Sequence, residues 1–541
     1  MKVQRKGLAG ILMPALLVIS LMVPSALPAS AQDIQTGPIV IPEQAHAVTP
    51  PVREMASVAA RAGRQGVALP VRRRPGPPIL SLKPDSVVQQ LSSVPLVSTT
   101  NLLDFDGLSD VDAVAPPDTN ASVGNTQVVE TVNTSYQVFD KATGASLFGP
   151  AEIGSLFSLL TGPGQICNGD LFTTGLFISY SDPIVLYDKA AQRWLISIVA
   201  FDGLFLSTFS ECIGVSTTSD ATGSYAVYEF SFGSNLNDYP KFGVWPDAYY
   251  ASYNIFANAQ TFLGPEVCAY DRTAMLAGAS ASALCFQRGT GDASFLPSDL
   301  DGSTLSVAGE PNFYLELGTS SSLKLYKFHA DFGTPSNSTF TGPTALPVAS
   351  YTEACPTTGT CIPQAGTKQK LDSLGDRLMF RLGYRNLTDH EALVATHSVR
   401  VGTTPAGVRW YEIRDPNGTP VVYQQGTVTS AGTSLWMGSM AMDKAGDIAV
   451  GFSESSNIIH PRIAYTGRVP TDKLGTMESI SVVFSGQGSQ NGGLSRWGDY
   501  TSMAIDPVDD CTFWYANEYL PNNGSFNWNT RLVAFKFFGC Q

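Results

Sequence analysis

Histidine, charge and the signatures of the common enzyme classes are all scarce in this chain. Only five histidines and 15% charged residues occur among 541 positions. There is no Gly-x-Ser-x-Gly elbow, His-Glu-x-x-His pair, phosphate loop or dinucleotide fingerprint. These absences argue against serine hydrolase, zinc protease, nucleotide-dependent and nicotinamide-dependent chemistry. No Cys-x-x-Cys pair occurs, so a structural zinc site is not expected. Basic stripes are missing too: the formal net charge is −13, which argues against nucleic acid and anionic membranes as partners. Beyond the N-terminus no apolar run is long enough to span a bilayer.

What is present begins with an export pattern. Lys2, Arg5 and Lys6 precede a mostly apolar run from Leu8 to Val23, and Ala29-Ser30-Ala31 fits a small-residue cleavage site. Residues 1–31 are expected to be a signal peptide, leaving a secreted, extracellular or periplasmic chain without a transmembrane segment. The eight cysteines agree, since an even number in an oxidising compartment favours disulfides. Nearest-neighbour pairing would join Cys167–Cys212, Cys268–Cys285, Cys355–Cys361 and Cys511–Cys540, although spacing alone does not fix connectivity.

Residues 32–103 are Pro-rich, carry a basic cluster at Arg72, Arg73 and Arg74, and show no clear strand alternation. They read as an extended linker or pro-segment. From Asp104 to Gln541, short apolar or alternating runs are separated by Gly, Pro, Asn, Asp and Ser, an all-β pattern. One helical turn is expected near Thr273 to Leu276. Strand–Asp-turn–strand units recur at Ile184–Val199, Phe242–Tyr253, Trp436–Phe452 and Arg496–Tyr519. Their Asp188-to-Asp247 and Asp443-to-Asp506 separations are 59 and 63 residues. Such an array closes as a β-propeller of six or seven blades, with two β-sandwich domains as the alternative.

The run Pro116-Pro117-Asp118-Thr119-Asn120 with Val123-Gly124 resembles the opening of a group of secreted bacterial proteins of poorly defined function. The resemblance continues through Asp182-Pro183-Ile184-Val185, Asn237-Asp238-Tyr239-Pro240-Lys241, Trp245-Pro246-Asp247 and Trp497-Gly498-Asp499-Tyr500. A second likeness, at Asp443-Lys444-Ala445-Gly446 and Asp506-Pro507-Val508-Asp509, is to the Asp-box turns of sialidase-like propellers. The Gly spacing and closing Trp of those turns are not reproduced, so this likeness implies architecture alone.

Several segments carry candidate chemistry. Arg377, Arg381 and Arg385 recur at four-residue intervals, which on a regular strand face one side. They are expected to clamp an acidic sugar, or else to form blade-linking ion pairs with Asp372, Asp376, Asp389 and Glu391. His390, between Asp389 and Glu391, is an acid/base candidate. Asp499 and Glu518 are candidate carboxylates for flanking a glycosidic bond, with Trp497 as a flat face for a sugar ring and Tyr500 as a polar substrate contact. Asp104, Asp106, Asp110 and Asp112 offer hard oxygen ligands suited to Ca2+, outside the EF-hand pattern. Asp118 and Asn120, pinned by two prolines, are expected to cap a turn, the alternative being entry into a central cleft.

Two functions follow from this reading. The first is a carbohydrate-active propeller that hydrolyses or eliminates glycosidic bonds of an extracellular glycan or polysaccharide. The second is a non-catalytic propeller for binding or adhesion at the cell envelope.

Overall fold

A computed structural model describes residues 37–55, 67–70, 72–89, 97–169, 178–203 and 205–541. The expected signal peptide lies outside the described residues. Seven four-stranded antiparallel blades follow one another, the fourth and fifth merged into one larger sheet. The first six take their strands in chain order, and the seventh takes its outermost strand from an earlier part of the chain. Blade 1 starts at Asn120–Val123, blade 2 at Ile178–Asp188, blade 3 at Asn235–Val244 and blade 4 at Leu296–Asp301. Blades 5, 6 and 7 start at Met379–Asn386, Ser434–Met442 and Ser502–Ile505. These seven first strands neighbour one another in order, and the last lies against the first, so the ring closes. The fold is a seven-bladed β-propeller.

The closure has a simple device. The outermost strand of blade 7 is Thr99–Ser109, which pairs antiparallel with Asn529–Phe537 near the other end of the chain. At the hub, Ser502 Oγ accepts from the Ala121 N–H at 2.7 Å and donates to the Ala121 carbonyl at 3.2 Å, joining blade 7 to blade 1. Blades 4 and 5 are joined more tightly, because Ser298–Asp301 pairs in parallel with Leu382–Arg385.

Alternation along the strands places apolar side chains on both faces of each blade, so every interface between blades buries an apolar layer. Val185, Trp194 and Ile196 meet Val129 and Tyr136 between blades 2 and 1. Tyr465, Phe513 and Phe535 fill the layer between blades 6 and 7, and Val128, Phe139, Trp514 and Leu532 fill the closing one. The expected helical turn is present as Arg272–Leu276, capped by the Asp271 side chain, which accepts from the Ala274 N–H.

The Asp turns fall at equivalent places. Asp188, Asp443 and Asp506 each end or follow the first strand of blades 2, 6 and 7. Each accepts backbone N–H bonds from the turn that follows, from Ala191, from Ala445 and Asp447, and from Val508. A carboxylate satisfying the donors of a tight turn explains why Asp recurs there. All four expected disulfides form, Cys167–Cys212, Cys268–Cys285, Cys355–Cys361 and Cys511–Cys540.

Residues 32–103 were expected as an extended linker or pro-segment; the described part is mostly extended, with one 3-10 turn at Val52–Glu54, and is bound to the blades. Ile39–Pro42 adds a fifth strand to blade 3, Ala45–Val48 to blade 2, and Val88–Gln89 pairs with blade 5. Outer edges that would otherwise present open N–H and C=O groups are thereby covered. No helix among the described residues is long and apolar enough to cross a membrane.

Candidate active site at the propeller hub

The first strand of nearly every blade carries a backbone irregularity at the same end of the hub. Asp118, Asp182, Tyr239, Met437 and Asp499 all adopt left-handed φ values, between 52° and 59°. Strand pairing skips residues at Ser181/Ile184, Asp238/Lys241, Met379/Gly383 and Trp436/Ser439. Bulges of this kind re-aim side chains, and positive φ at residues such as Tyr and Met is strain that persists where the surroundings enforce it. The effect here is a ring of polar groups around one mouth of the channel.

That ring lines a cavity of about 130 Å³. Its polar wall is Asp118, Asp182, Asp238, Tyr239, Arg377, Arg496 and Asp499, and its apolar rim includes Phe201, Leu206, Phe209 and Leu236. Asp118 is buried, and one of its carboxylate oxygens has no hydrogen-bond partner. Burial, with the nearby Asp499 and Asp182 carboxylates, pushes its pKa well above the usual range. Burial likewise raises Asp182, against the opposing pull of Lys241, and raises Asp238 to about 6. Asp499 is held differently. Arg496 grips it with Nη1 to Oδ1 and Nη2 to Oδ2, both at 2.7 Å.

Lys241 is the buried cation beneath this wall. Its Nζ sits 3.6 Å from the centre of the Tyr239 ring and 4.0 Å from that of Tyr500, and donates to the Pro240 carbonyl. Burial lowers its pKa to about 8, against the attraction of Asp182 and Asp118. Arg377 stacks over the other part of the same system, 4.5 Å from the Tyr239 ring centre, and pairs with Asp376.

Of the residues singled out in the sequence, Asp499 and Arg377 come together at this cavity. Glu518 lies behind it, fully buried, accepting the Gly498 N–H at 2.8 Å. Trp497, expected as a sugar platform, is fully buried against Trp436 and donates to Ser453 Oγ. Tyr500 is buried with its face on Lys241 and its hydroxyl on the Pro183 carbonyl. Both aromatics are therefore spent on internal contacts.

Arg381 and Arg385 do not converge with Arg377. Four residues of strand advance roughly 13 Å, and this strand runs along the hub channel, so each arginine meets a different level. Arg381 is paired with Asp299 and Asp301, and Arg385 with Asp510. These are blade-linking ion pairs, though only Arg377 uses one of the expected carboxylates. His390 is remote from Asp499: with Asp389, which its Nδ1 meets at 2.9 Å, it lines a separate cavity with Arg414 and Arg468.

The four acidic residues read as a Ca2+ site are divided. Asp104 and Asp106 both pair with Arg531, while Asp112 accepts from the Thr134 and Ser135 hydroxyls. Asp110 accepts the Val114 N–H, and burial raises its pKa to about 7. A guanidinium already fills the position a cation would take between the first two, so this set does not fit calcium. Two tighter groups among the described residues, Glu266 with Cys268 and Cys285, and Asp443 with Cys511 and Cys540, have their sulfurs locked in disulfides.

Sequence reading missed Asp182, Asp238, Tyr239 and Lys241 as site residues, gave Arg496 no role of its own within the candidate segment Arg496–Tyr500, and favoured capping for Asp118. The signal was there: PPDTN, DPIV, NDYPK and WGDY all fall on the strained ends of first strands. Asn120 serves the scaffold, its Oδ1 accepting from the Val185 N–H of blade 2.

No protein-family model and no curated protein matches the chain. Solved structures with a similar course include the WD40 domain of SCAP from fission yeast, with 8% identity over 76% of this chain and 82% of that one, TM-score 0.32. Another is the exo-beta-1,3-galactanase Pc1,3Gal43A from Phanerochaete chrysosporium, with 10% identity over 83% and 97%, TM-score 0.30. Drosophila Plexin A, solved with Semaphorin 1b, gives 7% identity over 83% and 89%, TM-score 0.36. At such identities and scores the functional reading rests on the hub itself.

Proposed function

We propose that this chain is a secreted carbohydrate-active propeller that cleaves glycosidic bonds of an extracellular glycan at the hub cavity. The observation that carries the reading is a buried Asp118 carboxyl, with an oxygen free of partners, beside an Asp499 carboxylate gripped by Arg496. Glycoside hydrolysis needs two carboxyl groups in different protonation states on either side of the scissile bond. Burial and like charge keep Asp118 protonated, suiting it to donate a proton to the departing glycosidic oxygen. Asp499, gripped by the Arg496 guanidinium, serves as base toward water or as nucleophile at the anomeric carbon; one-step and two-step displacement both fit. Arg377 and Arg496 supply donors for substrate oxygens. Four disulfides agree with an oxidising, extracellular setting.

The test is turnover of a panel of polysaccharides and chromogenic glycosides by the wild type, Asp118→Asn and Asp499→Asn. Each substitution is expected to lower kcat by about 10²–10⁴-fold, the range for loss of a positioned acid or base. The unfolding midpoint is expected to hold in Asp118→Asn and to fall in Asp499→Asn, which leaves the buried Arg496 unpaired. Turnover is therefore compared well below the midpoint of each variant. Glycan binding by the wild type without turnover on any substrate would replace catalysis by the binding function.

A further inference from the structure

The basic cluster Arg72–Arg74 lies across the mouth of the hub. Arg72 pairs with Asp238 at 3.3 Å and Arg73 with Asp372 at 3.2 Å, while the Arg74 N–H donates to Asp376 at 2.7 Å. Leu69, Pro70 and Arg72 form part of the cavity wall. The two site arginines spend donors on this strap: Arg496 Nε donates to the Leu69 carbonyl at 2.7 Å and Arg377 Nη2 to the Arg72 carbonyl at 2.6 Å. The fit is close enough that a side chain at Gly359 would overlap the Arg73 guanidinium.

We propose that Leu69, Pro70 and Arg72–Arg74 form an autoinhibitory strap, a built-in occupant whose carbonyls take the arginine donors that a substrate's oxygens need. This rests on the hub being the site for glycan cleavage. The cavity left beside the strap, about 130 Å³, is too small for an oligosaccharide, so substrate entry requires the strap to leave. The attachment suits release. Beside the hydrogen bonds from Arg496, Arg377 and the Arg74 N–H, the strap is held by two ion pairs whose arginines are 23% and 32% exposed and by a two-residue parallel pairing of Val67–Ala68 with Val114–Ala115. Part-exposed pairs are individually weak and salt-screened. By contrast, the flanking Ile39–Pro42 and Ala45–Val48 are held by continuous strand pairing.

The experiment is carbodiimide labelling of Asp118 in the full chain, read by mass spectrometry, alongside turnover on the glycan panel. The double variant Arg72→Ala/Arg73→Ala is expected to label about tenfold faster, the combined worth of two part-exposed ion pairs, and a synthetic peptide of residues 67–76 is expected to restore protection. Arg53→Ala, which removes an ion pair to Asp220, is the control and is expected to label as wild type. In the wild type, raising NaCl from about 0.05 to about 1 M is expected to speed labelling of Asp118 but not of the exposed Asp389; this arm needs no variant to fold. Faster labelling with no glycan cleaved supports the strap while removing glycan cleavage. Unchanged labelling in both the variant and high salt overturns the strap whatever the turnover.

Discussion

Arg496 and Asp499 meet through two parallel contacts of 2.7 Å, and the same guanidinium reaches the Leu69 carbonyl through Nε. One side chain thus fixes a candidate catalytic carboxylate and a strap. Replacing Arg496 with Met leaves Asp499 and Asp118 as two buried acids with less opposing charge. Such neighbours do not both ionise, and the pair is expected to share a proton. On the proposed chemistry, Arg496→Met should lower kcat at least as far as Asp499→Asn and raise the pH of the acid limb of kcat/KM. Arg496→Lys should restore part of the rate, because a point charge replaces a two-pronged one. A pH profile unchanged in Arg496→Met would remove Arg496 from the site.

Arg381 is a structural bridge. It is 3% exposed and pairs with Asp299 at 2.7 Å and Asp301 at 2.6 Å, tying blade 5 to blade 4. Removing one partner of a buried ionic cluster typically costs about 3–5 kcal/mol, since the remaining charges lose their compensation. Arg381→Ala is expected to lower the thermal unfolding midpoint markedly, and adding Asp299→Asn to recover part of the loss. Should Arg381→Ala lose turnover at an unchanged midpoint, a substrate-binding role would be restored.

The architecture was legible because propeller blades repeat local patterns. Alternating strands, Asp188, Asp443 and Asp506 at turn starts, and cysteine pairs closing short loops are all contained within one blade or two. The site was less legible because it is assembled from single residues about one blade apart. Asp118, Asp182, Tyr239 and Asp499 share a strained backbone conformation, which sequence spacing does not reveal. The arginine series misled for a related reason: four-residue spacing on a strand means a common side only if the strand lies across the site rather than along it. The charges at Arg72–Arg74 gave no clue to their partners, since Asp238, Asp372 and Asp376 lie more than 160 residues away.

The Cys511–Cys540 bridge, spanning 29 residues, ties the chain end to the second strand of blade 7, where the ring closes. A loop of that length contributes about 3–4 kcal/mol in the chain-entropy account. The double variant Cys511→Ser/Cys540→Ser is expected to unfold at lower denaturant, with hydrogen exchange accelerated first in Asn529–Phe537 and Thr99–Ser109. Uniform acceleration through all blades would show that closure is not locally governed.

Stability should fall as pH rises from 5 to 8, the reverse of the usual trend for a carboxylate-rich protein. Burial raises Glu130, Glu266 and Glu316 to about 7 and Asp443 to about 8. A carboxyl whose folded pKa lies above its unfolded value contributes stability in full below the unfolded value, near 4.5 for Glu. That contribution is lost as pH climbs through the folded value, because the folded chain then binds more protons than the unfolded one. Asp301 and Asp376, lowered by Arg381 and Arg377, act oppositely but only below the ordinary Asp value of 3.8. Lys241, depressed to about 8, favours the fold only as pH rises from about 8 toward its unfolded value of 10.5. The unfolding midpoint is therefore expected to be highest near pH 5. Glu130→Gln should flatten part of the decline, since a neutral amide of the same shape has no proton to lose. A midpoint that is level or rising between pH 5 and 8 would mean that these buried acids ionise in the folded chain without cost.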